Sequence, residues 1–79
     1  MEDTLLARIE TNPQVLTGKP IIRGLRISVD QILKSLAAGI ETDELLSEYP
    51  DLETDDIKAC LLYAAQLVEE ERVYPIQAS

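Results

Sequence analysis

The sequence predicts a mainly α protein, with a three-helix helix-turn-helix core preceded by a short β-hairpin. After residue 28, apolar residues recur at helical spacing in three segments, and each segment has its own start and stop signals. Before residue 28, short runs rich in isoleucine are separated by proline and glycine, which is typical of strands and turns. The helical segments are joined by short connections and the last segment is the longest, as in helix-turn-helix proteins.

The length of the chain sets its organisation. At 79 residues we expect one domain, with an extended arm at 8–27, a helical core at 28–72 and a tail at 73–79. A chain of this size buries only about 60% of the surface of its unfolded form, so self-association is a natural way to complete its core. We therefore expect a homodimer or a higher oligomer.

The arm is predicted to be a β-hairpin. A strand over 8–11 is followed by a turn, and two extended pieces at 20–22 and 25–27 flank a tight turn at Arg23-Gly24. Strand edges in small proteins commonly pair with another chain, which predicts a dimer contact through the arm. The predicted dimer interface consists of Ile9, Ile21, Ile22, Leu25 and Ile27.

Local start and stop signals define the first two helices. Ser28 is the predicted N-cap of the first helix, because a glutamine follows three residues later, at the spacing of a capping box. Gly39 is a natural stop for this helix. Thr42 is the predicted cap of the second, shorter helix, and Tyr49-Pro50 ends it because the residue before a proline disfavours helical geometry.

The third helix has the clearest apolar periodicity. Thr54 is its predicted cap, two aspartates follow in the first turn, and the helix is expected to fray near 69–72. Its apolar residues recur at i, i+3, i+4, i+7, i+10 and i+11, which predicts a buried stripe of about four turns. The stripe consists of Ile57, Cys60, Leu61, Ala64, Leu67 and Val68.

The composition excludes most catalytic chemistry. The chain has no histidine, so it lacks the commonest general base and imidazole metal ligands. Its single cysteine, Cys60, lies on the apolar stripe and is interpreted as a small buried hydrophobe, and a single cysteine fits a reducing cytoplasm. Asp55, Asp56 and the glutamates at 69–71 are interpreted as helix-end charges and not as metal ligands. We expect no catalytic activity, no cofactor and no metal.

Charge is distributed unevenly along the chain. The net charge is −8, and residues 35–79 contain eleven acidic residues against two basic ones. This asymmetry favours a basic partner, or association of the basic front of one chain with the acidic back (residues 35–79) of another. The acidic back also repels nucleic acid. No apolar run is long enough to span a membrane and no signal peptide opens the chain, so we expect a soluble cytoplasmic protein without a membrane partner.

The candidate nucleic-acid contacts are Lys19, Arg23 and Arg26 in the arm. They either approach the phosphates of operator DNA or pair with Asp30, Glu41 or the acids of a neighbouring chain, and both interpretations stay open. In a helix-turn-helix protein the start of the last helix would meet the DNA. Here that start carries three carboxylates and one lysine, so we expect this helix to bind DNA poorly.

The tail is apolar for a chain terminus. Val73, Tyr74 and Ile76 either fold back on the core or dock into a groove of a partner as an extended segment. Both arrangements stay open.

Several motifs resemble one known family. The Ile-Glu-Thr-Asn-Pro run at 9–13, the Gly-Lys-Pro and Arg-Gly-Leu-Arg-Ile motifs within 18–29, and Tyr-Pro-Asp-Leu at 49–52 are similar to domain-of-unknown-function family 433. Members are small bacterial and archaeal proteins with a homeodomain-like or winged helix-turn-helix fold. They are regarded as antitoxins that pair with PIN-like ribonuclease toxins, and the resemblance implies this fold and this role. The chain departs from the family pattern at Leu25, where a threonine is usual, which removes a hydroxyl for phosphate or partner contact.

Two functional hypotheses follow. In the first, the chain is a non-catalytic antitoxin of a type II toxin–antitoxin pair. It dimerises through its hairpin, contacts operator DNA through its three cations, and blocks a PIN-like ribonuclease with its acidic back and its tail. In the second, the chain is a homo-oligomeric adaptor that contacts protein alone and binds no DNA.

Overall fold

Helices make up most of the structure. The computed structural model describes residues 2–11, 14 and 18–71 of the chain. In chain order its elements are α1 (Glu2–Leu6), β1 (Ile9–Thr11), β2 (Pro20–Ile22), α2 (Val29–Ala37), α3 (Thr42–Glu48) and α4 (Thr54–Glu71). The described part of the chain is thus a small, mainly α fold with four helices and a two-stranded antiparallel hairpin, and α1 is the element that the sequence did not predict.

The hairpin pairs different segments from those predicted. β1 pairs with β2 in antiparallel fashion, with Ile9 opposite Ile22. No strand forms at 25–27, but the predicted reversal around Arg23-Gly24 is present: the N–H of Ile22 donates to the carbonyl of Ile27 at 3.0 Å, and Ile21 forms an isolated antiparallel bridge with Ser28. Gly24 has a φ of 82°, a conformation that favours glycine and is typical of the tight turns that reverse a chain.

The boundaries of α2 follow the predicted signals. Ser28 has extended backbone geometry, and its hydroxyl accepts a hydrogen bond from the N–H of Gln31 at 3.2 Å. The side chain of Gln31 donates to the hydroxyl of Tyr49 at 3.1 Å, so only one arm of a capping box forms. Gly39 follows the C-cap with a φ of 94°. The predicted cap and stop of this helix are both confirmed.

At the starts of α3 and α4, backbone N–H groups donate hydrogen bonds to carboxylates and not to threonine hydroxyls. Thr42 and Thr54 are the first residues of these helices, so their predicted role as caps is wrong. Glu44 accepts a hydrogen bond from the N–H of the residue before α3 at 3.0 Å. Asp56 does the same for the residue before α4 at 2.8 Å. Each carboxylate belongs to the residue three positions after the N–H that it accepts from. This bond is the second of the two hydrogen bonds that make up a capping box.

The core lies where the hairpin, α2, α3 and the first half of α4 meet. Its side chains are aliphatic or thiol groups, since the chain has no tryptophan or phenylalanine. Burial of such groups supplies the main favourable free energy of folding. This core holds β2, and the turn that follows it, against the start of α4. The buried cluster consists of Ile22, Val29, Ile32, Leu45, Leu52, Ile57 and Cys60.

The predicted buried stripe of α4 is wrong beyond Cys60. Cys60 is buried, but Leu61, Leu67 and Val68 are 51%, 43% and 67% exposed. Ala59, which lies outside the predicted stripe, is fully buried. The unpredicted α1 packs against α4, and the buried face of α4 includes Ala59 but not Leu61.

Candidate functional surfaces

The turn between β2 and α2 presents two unpaired arginines. Arg23 and Arg26 are exposed, and neither has an ion-pair partner among the described residues. The turn is anchored because the N–H of Arg23 donates to the carbonyl of Arg8 at 2.7 Å. Beside it, the space that a Cβ of Gly24 would occupy has no neighbouring atom within 4 Å. We call residues 23–26 the arginine turn.

Lys19 is already paired within the chain. Its ammonium lies 3.5 Å from the carboxylate of Asp30, which also lies 3.6 Å from the Nζ of Lys34. The hydroxyl of Ser28 donates to the same carboxylate at 2.6 Å. This hydroxyl, followed by the two ammonium groups, lowers the pKa of Asp30. The predicted cluster of three cations is therefore divided into one paired lysine and two open arginines.

The side chains predicted to form a dimer interface in the arm lie largely inside the chain. Ile21 and Ile22 are 3% and 1% exposed. Ile9, Leu25 and Ile27 are partly buried against the core. These five residues already have apolar contacts within their own chain, so they offer little apolar surface to a second copy. Dimerisation through them stays a prediction.

The predicted contacts of the C-terminal tail concern Val73, Tyr74 and Ile76. These residues lie outside the part of the chain that the structure describes. Whether the tail folds back or binds a partner therefore stays open.

A charge cluster that the sequence analysis missed joins the start of β1 to the start of α4. The Nη1 of Arg8 donates to the carboxylates of Glu53 at 2.7 Å and Asp56 at 2.9 Å, and its Nη2 lies 3.8 Å from Asp55. The hydrogen bonds to Glu53 and Asp56 raise the pKa of the guanidinium. The side chain of Asp56 is only 7% exposed. A carboxylate buried to this extent needs hydrogen-bond donors, and Arg8 provides one with a compensating charge.

Beyond this cluster, α3 and the segment that leads to α4 lack positive charge. Residues 41–57 contain eight carboxylates and no lysine or arginine. Seven of the eight residues are exposed, and Asp56 is the buried one. Arg8 compensates only the three carboxylates at the start of α4. The other five have no ion-pair partner in the described part of the chain, and we call them the acidic face: Glu41, Asp43, Glu44, Glu48 and Asp51.

An open cleft of ≈ 460 Å³ lies between the arginine turn and the acidic face. Its walls include Arg8, Arg23, Gly24, Asp51 and Glu53, so both signs of charge line it. No group of three or more His, Cys, Asp or Glu residues among those described is placed to hold a metal ion. Nor is any helix in the described ranges long and apolar enough to cross a membrane.

Cys60 is shielded from solvent in the core. It is 0% exposed, and burial raises its pKa to about 11. These values support its interpretation as a small hydrophobe. At pH 8 a thiol with this pKa is ionised in about one molecule per thousand, and the thiolate is the reactive form.

We expect a disulfide reagent such as Ellman's reagent to leave Cys60 unmodified in the native protein at pH 8. After unfolding in guanidinium chloride, the same reagent should titrate one thiol per chain, which serves as the control. Rapid modification of the native protein would show that the thiol is accessible and would contradict its placement in the core.

With the fold and these surfaces described, comparison with known proteins identifies the family. Residues 9–64 match the family described as "Protein of unknown function (DUF433)". The chain belongs to the DUF433 family. The resemblance to family 433 that the sequence motifs indicated is confirmed. The match runs from β1 into α4, so the arginine turn and the acidic face both lie within the DUF433 region.

Two relatives are informative about the extent of the DUF433 region. The uncharacterized protein y4eO of Sinorhizobium fredii (strain NBRC 101917 / NGR234) is 32% identical over 66 residues, which are 81% of this chain and 30% of that protein. This chain thus spans less than a third of the length of that relative. The crystal structure of a DUF433 member protein from Anabaena variabilis has a TM-score of 0.76 and 32% identity, and the match covers 86% of this chain and 67% of that one. This likeness supports the small, mainly α fold.

Proposed function

We propose that the chain is a non-catalytic antitoxin whose acidic face binds a PIN-like ribonuclease toxin and blocks its RNA-binding surface. The observation that carries this proposal is the run of eight carboxylates without a lysine or arginine in residues 41–57. Proteins bind the nucleic-acid backbone by neutralising its phosphates with basic residues. A surface of exposed carboxylates competes for the same basic residues, and it does not attract nucleic acid itself.

The structure of α3 favours this role because it positions one of these carboxylates, that of Glu44, before binding. Leu45 is 1% exposed and anchors α3 in the core. The carboxylate of Glu44 is held by the N–H of Glu41 at 3.0 Å. Charges that are already positioned lose less conformational entropy on association. Complementary charge also accelerates the encounter with a cationic partner.

The test is a ribonuclease assay with the purified cognate toxin and the purified chain. We expect excess chain to suppress RNA cleavage, and the double variant Asp43→Lys/Glu48→Lys to inhibit at least tenfold more weakly. The matched control Glu10→Lys/Thr11→Lys/Ala37→Lys makes the same change in net charge at exposed positions outside the acidic face, and it should inhibit as well as the parent. Full ribonuclease activity in the presence of excess chain would reject the antitoxin proposal and favour the adaptor hypothesis.

Operator binding is a second candidate function, and the arginine turn supports it. The expected helix-turn-helix requires three successive helices, and α2, α3 and α4 follow one another in the chain, but the start of α4 carries carboxylates that repel phosphate. Contact with DNA would therefore use Arg23 and Arg26 on the phosphate backbone, with strong dependence on salt.

A gel-shift titration of the operator fragment at low salt tests this second function. Arg23→Ala/Arg26→Ala should remove the shift, whereas Lys19→Ala should retain most of it because Lys19 is paired with Asp30. Absence of any shift with the parent protein would exclude operator binding and leave a function in protein contact alone.

A further inference from the structure

The outer face of α4 carries an apolar strip that no described part of the chain covers. Leu61 and Val68 are 51% and 67% exposed, and Ala65 is exposed between them. Their i, i+4, i+7 spacing places them in one row along the helix. Asp56 and Ala59 are buried on the opposite side of α4. Ile57, one turn before Leu61 in the same row, is buried in the core, so the row becomes exposed only from Leu61 onward. A row of apolar side chains on the solvent side of a helix indicates a contact with another surface.

We propose that this strip is a dimer interface, in which the α4 helices of two copies pack antiparallel about a two-fold axis at Ala64-Ala65. In this register, Leu61 of each copy contacts Val68 of the partner subunit. The two residues are equally distant from the axis, so the strip is self-complementary, as a two-fold interface requires. The small alanines at the crossing allow the helices to approach to the short end of the usual 8–10 Å range of interaxial distances.

Charges beside the strip fit the same arrangement. Lys58 and Glu69 are exposed, and neither has an ion-pair partner among the described residues. Their positions differ by about 20° around the helix axis, so they flank the same edge of the strip. The two-fold axis brings this edge of one helix beside the equivalent edge of the other. Lys58 then lies near Glu69 of the partner subunit, once at each end of the interface.

This charge match favours a second copy as the occupant of the strip. Two chains that each carry a net charge of −8 repel at long range, so a homodimer needs a local attraction to offset that repulsion. The Lys58–Glu69 pairs lie where the apolar contact is made. The strip also offers the exposed apolar surface that the isoleucines of the arm lack, because Ile21 and Ile22 are buried in their own chain.

A cysteine cross-linking experiment tests the register. In the double variant Leu61→Cys/Val68→Cys, we expect mild oxidation to give a disulfide-linked dimer on a non-reducing gel. Within one helix the two positions are about 10 Å apart, beyond the roughly 7 Å between Cα atoms that a disulfide spans. Each single variant should stay monomeric on the gel, since position 61 faces position 68 and not itself. Equal cross-linking of a single variant, or no dimer from the double variant, would overturn the proposed register.

Sedimentation equilibrium of the unmodified chain, at loadings from about 5 to 500 µM, tests the dimer itself. We expect a concentration-dependent dimer, and Val68→Glu should raise its dissociation constant at least tenfold. Ser47→Glu adds the same charge at an exposed position on α3 and should leave the dissociation constant unchanged. Circular dichroism of both variants verifies that they remain folded. A monomer at every concentration would overturn the proposal, whatever the outcome of the ribonuclease assay.

Discussion

Replacement of Ile32 by alanine is expected to lower the free energy of unfolding by about 2–5 kcal/mol. Ile32 lies in α2, is 0% exposed, and belongs to the buried cluster with Ile22, Leu45 and Cys60. Truncation removes buried methyl and methylene groups and leaves a cavity that the neighbouring side chains fill only in part. A chain of 79 residues has a total stability on the order of 4–12 kcal/mol, so this one substitution removes a large share of it.

Urea unfolding followed by far-UV circular dichroism measures this loss. Ile32→Val removes a single methyl group and should reduce the stability by only about 0.5–1.5 kcal/mol. Val68→Ala truncates an exposed side chain, and at low micromolar protein concentration it should change the stability by less than about 0.5 kcal/mol. Equal effects of Ile32→Ala and Val68→Ala would mean that the core does not lie where the structure places it.

The features that could be predicted from the sequence are those made by contacts close along the chain. The cap at Ser28 is a bond to a backbone N–H three residues later, and the stop at Gly39 depends on the backbone of that residue. Such signals operate whatever the rest of the fold does. The caps of α3 and α4 were misplaced by one residue, because a threonine and the acid before it are both plausible caps and Glu44 and Asp56 decide between them.

The errors arise where distant parts of the chain meet. α1 has only five residues, and a helix of this length is not stable alone, so its formation depends on packing against α4. Without α1, the apolar periodicity of α4 predicts a single buried stripe. In the structure Ala59 is buried, and Leu61 and Val68 lie in solvent because no described element packs over them. Periodicity alone therefore shows that these side chains lie on one side of the helix, and not whether another element covers that side.

The candidate surfaces show the same difference between features set by local sequence and features set by distant contacts. The sequence shows that the arm is basic and that the helical part after residue 35 is acidic. It does not show that Asp30 pairs with Lys19 instead of Arg23 or Arg26, because that choice depends on three-dimensional position. Arg8 is separated by 45 and 48 residues from Glu53 and Asp56. The available signal was an excess of charge: the start of α4 carries three carboxylates, more than a cap and the helix dipole require. Such an excess indicates a basic partner without saying which one.

Replacement of Asp56 by alanine is expected to lower the free energy of unfolding by about 1–3 kcal/mol. Asp56 accepts hydrogen bonds from the N–H of Glu53 at 2.8 Å and from Arg8 at 2.9 Å, and its side chain is 7% exposed. Alanine removes both bonds, so the start of α4 loses its capping acceptor and Arg8 loses its buried partner. Because Arg8 precedes β1, this change also loosens the hairpin from α4.

Two further variants separate this effect from a general loss of negative charge. Asp55→Ala removes the adjacent carboxylate, which lies 3.8 Å from Arg8 and is 53% exposed, so it should change the stability by less than about 0.5 kcal/mol. Asp56→Asn keeps an oxygen that can accept from the N–H of Glu53 but loses the charge facing Arg8, and its stability should fall between those of the parent and Asp56→Ala.

Urea unfolding of all three variants, each alone and combined with Arg8→Gln, measures the coupling. Effects of Asp56→Ala and Arg8→Gln that simply add would show that the two side chains do not stabilise the fold together, because residues in direct contact are expected to be non-additive.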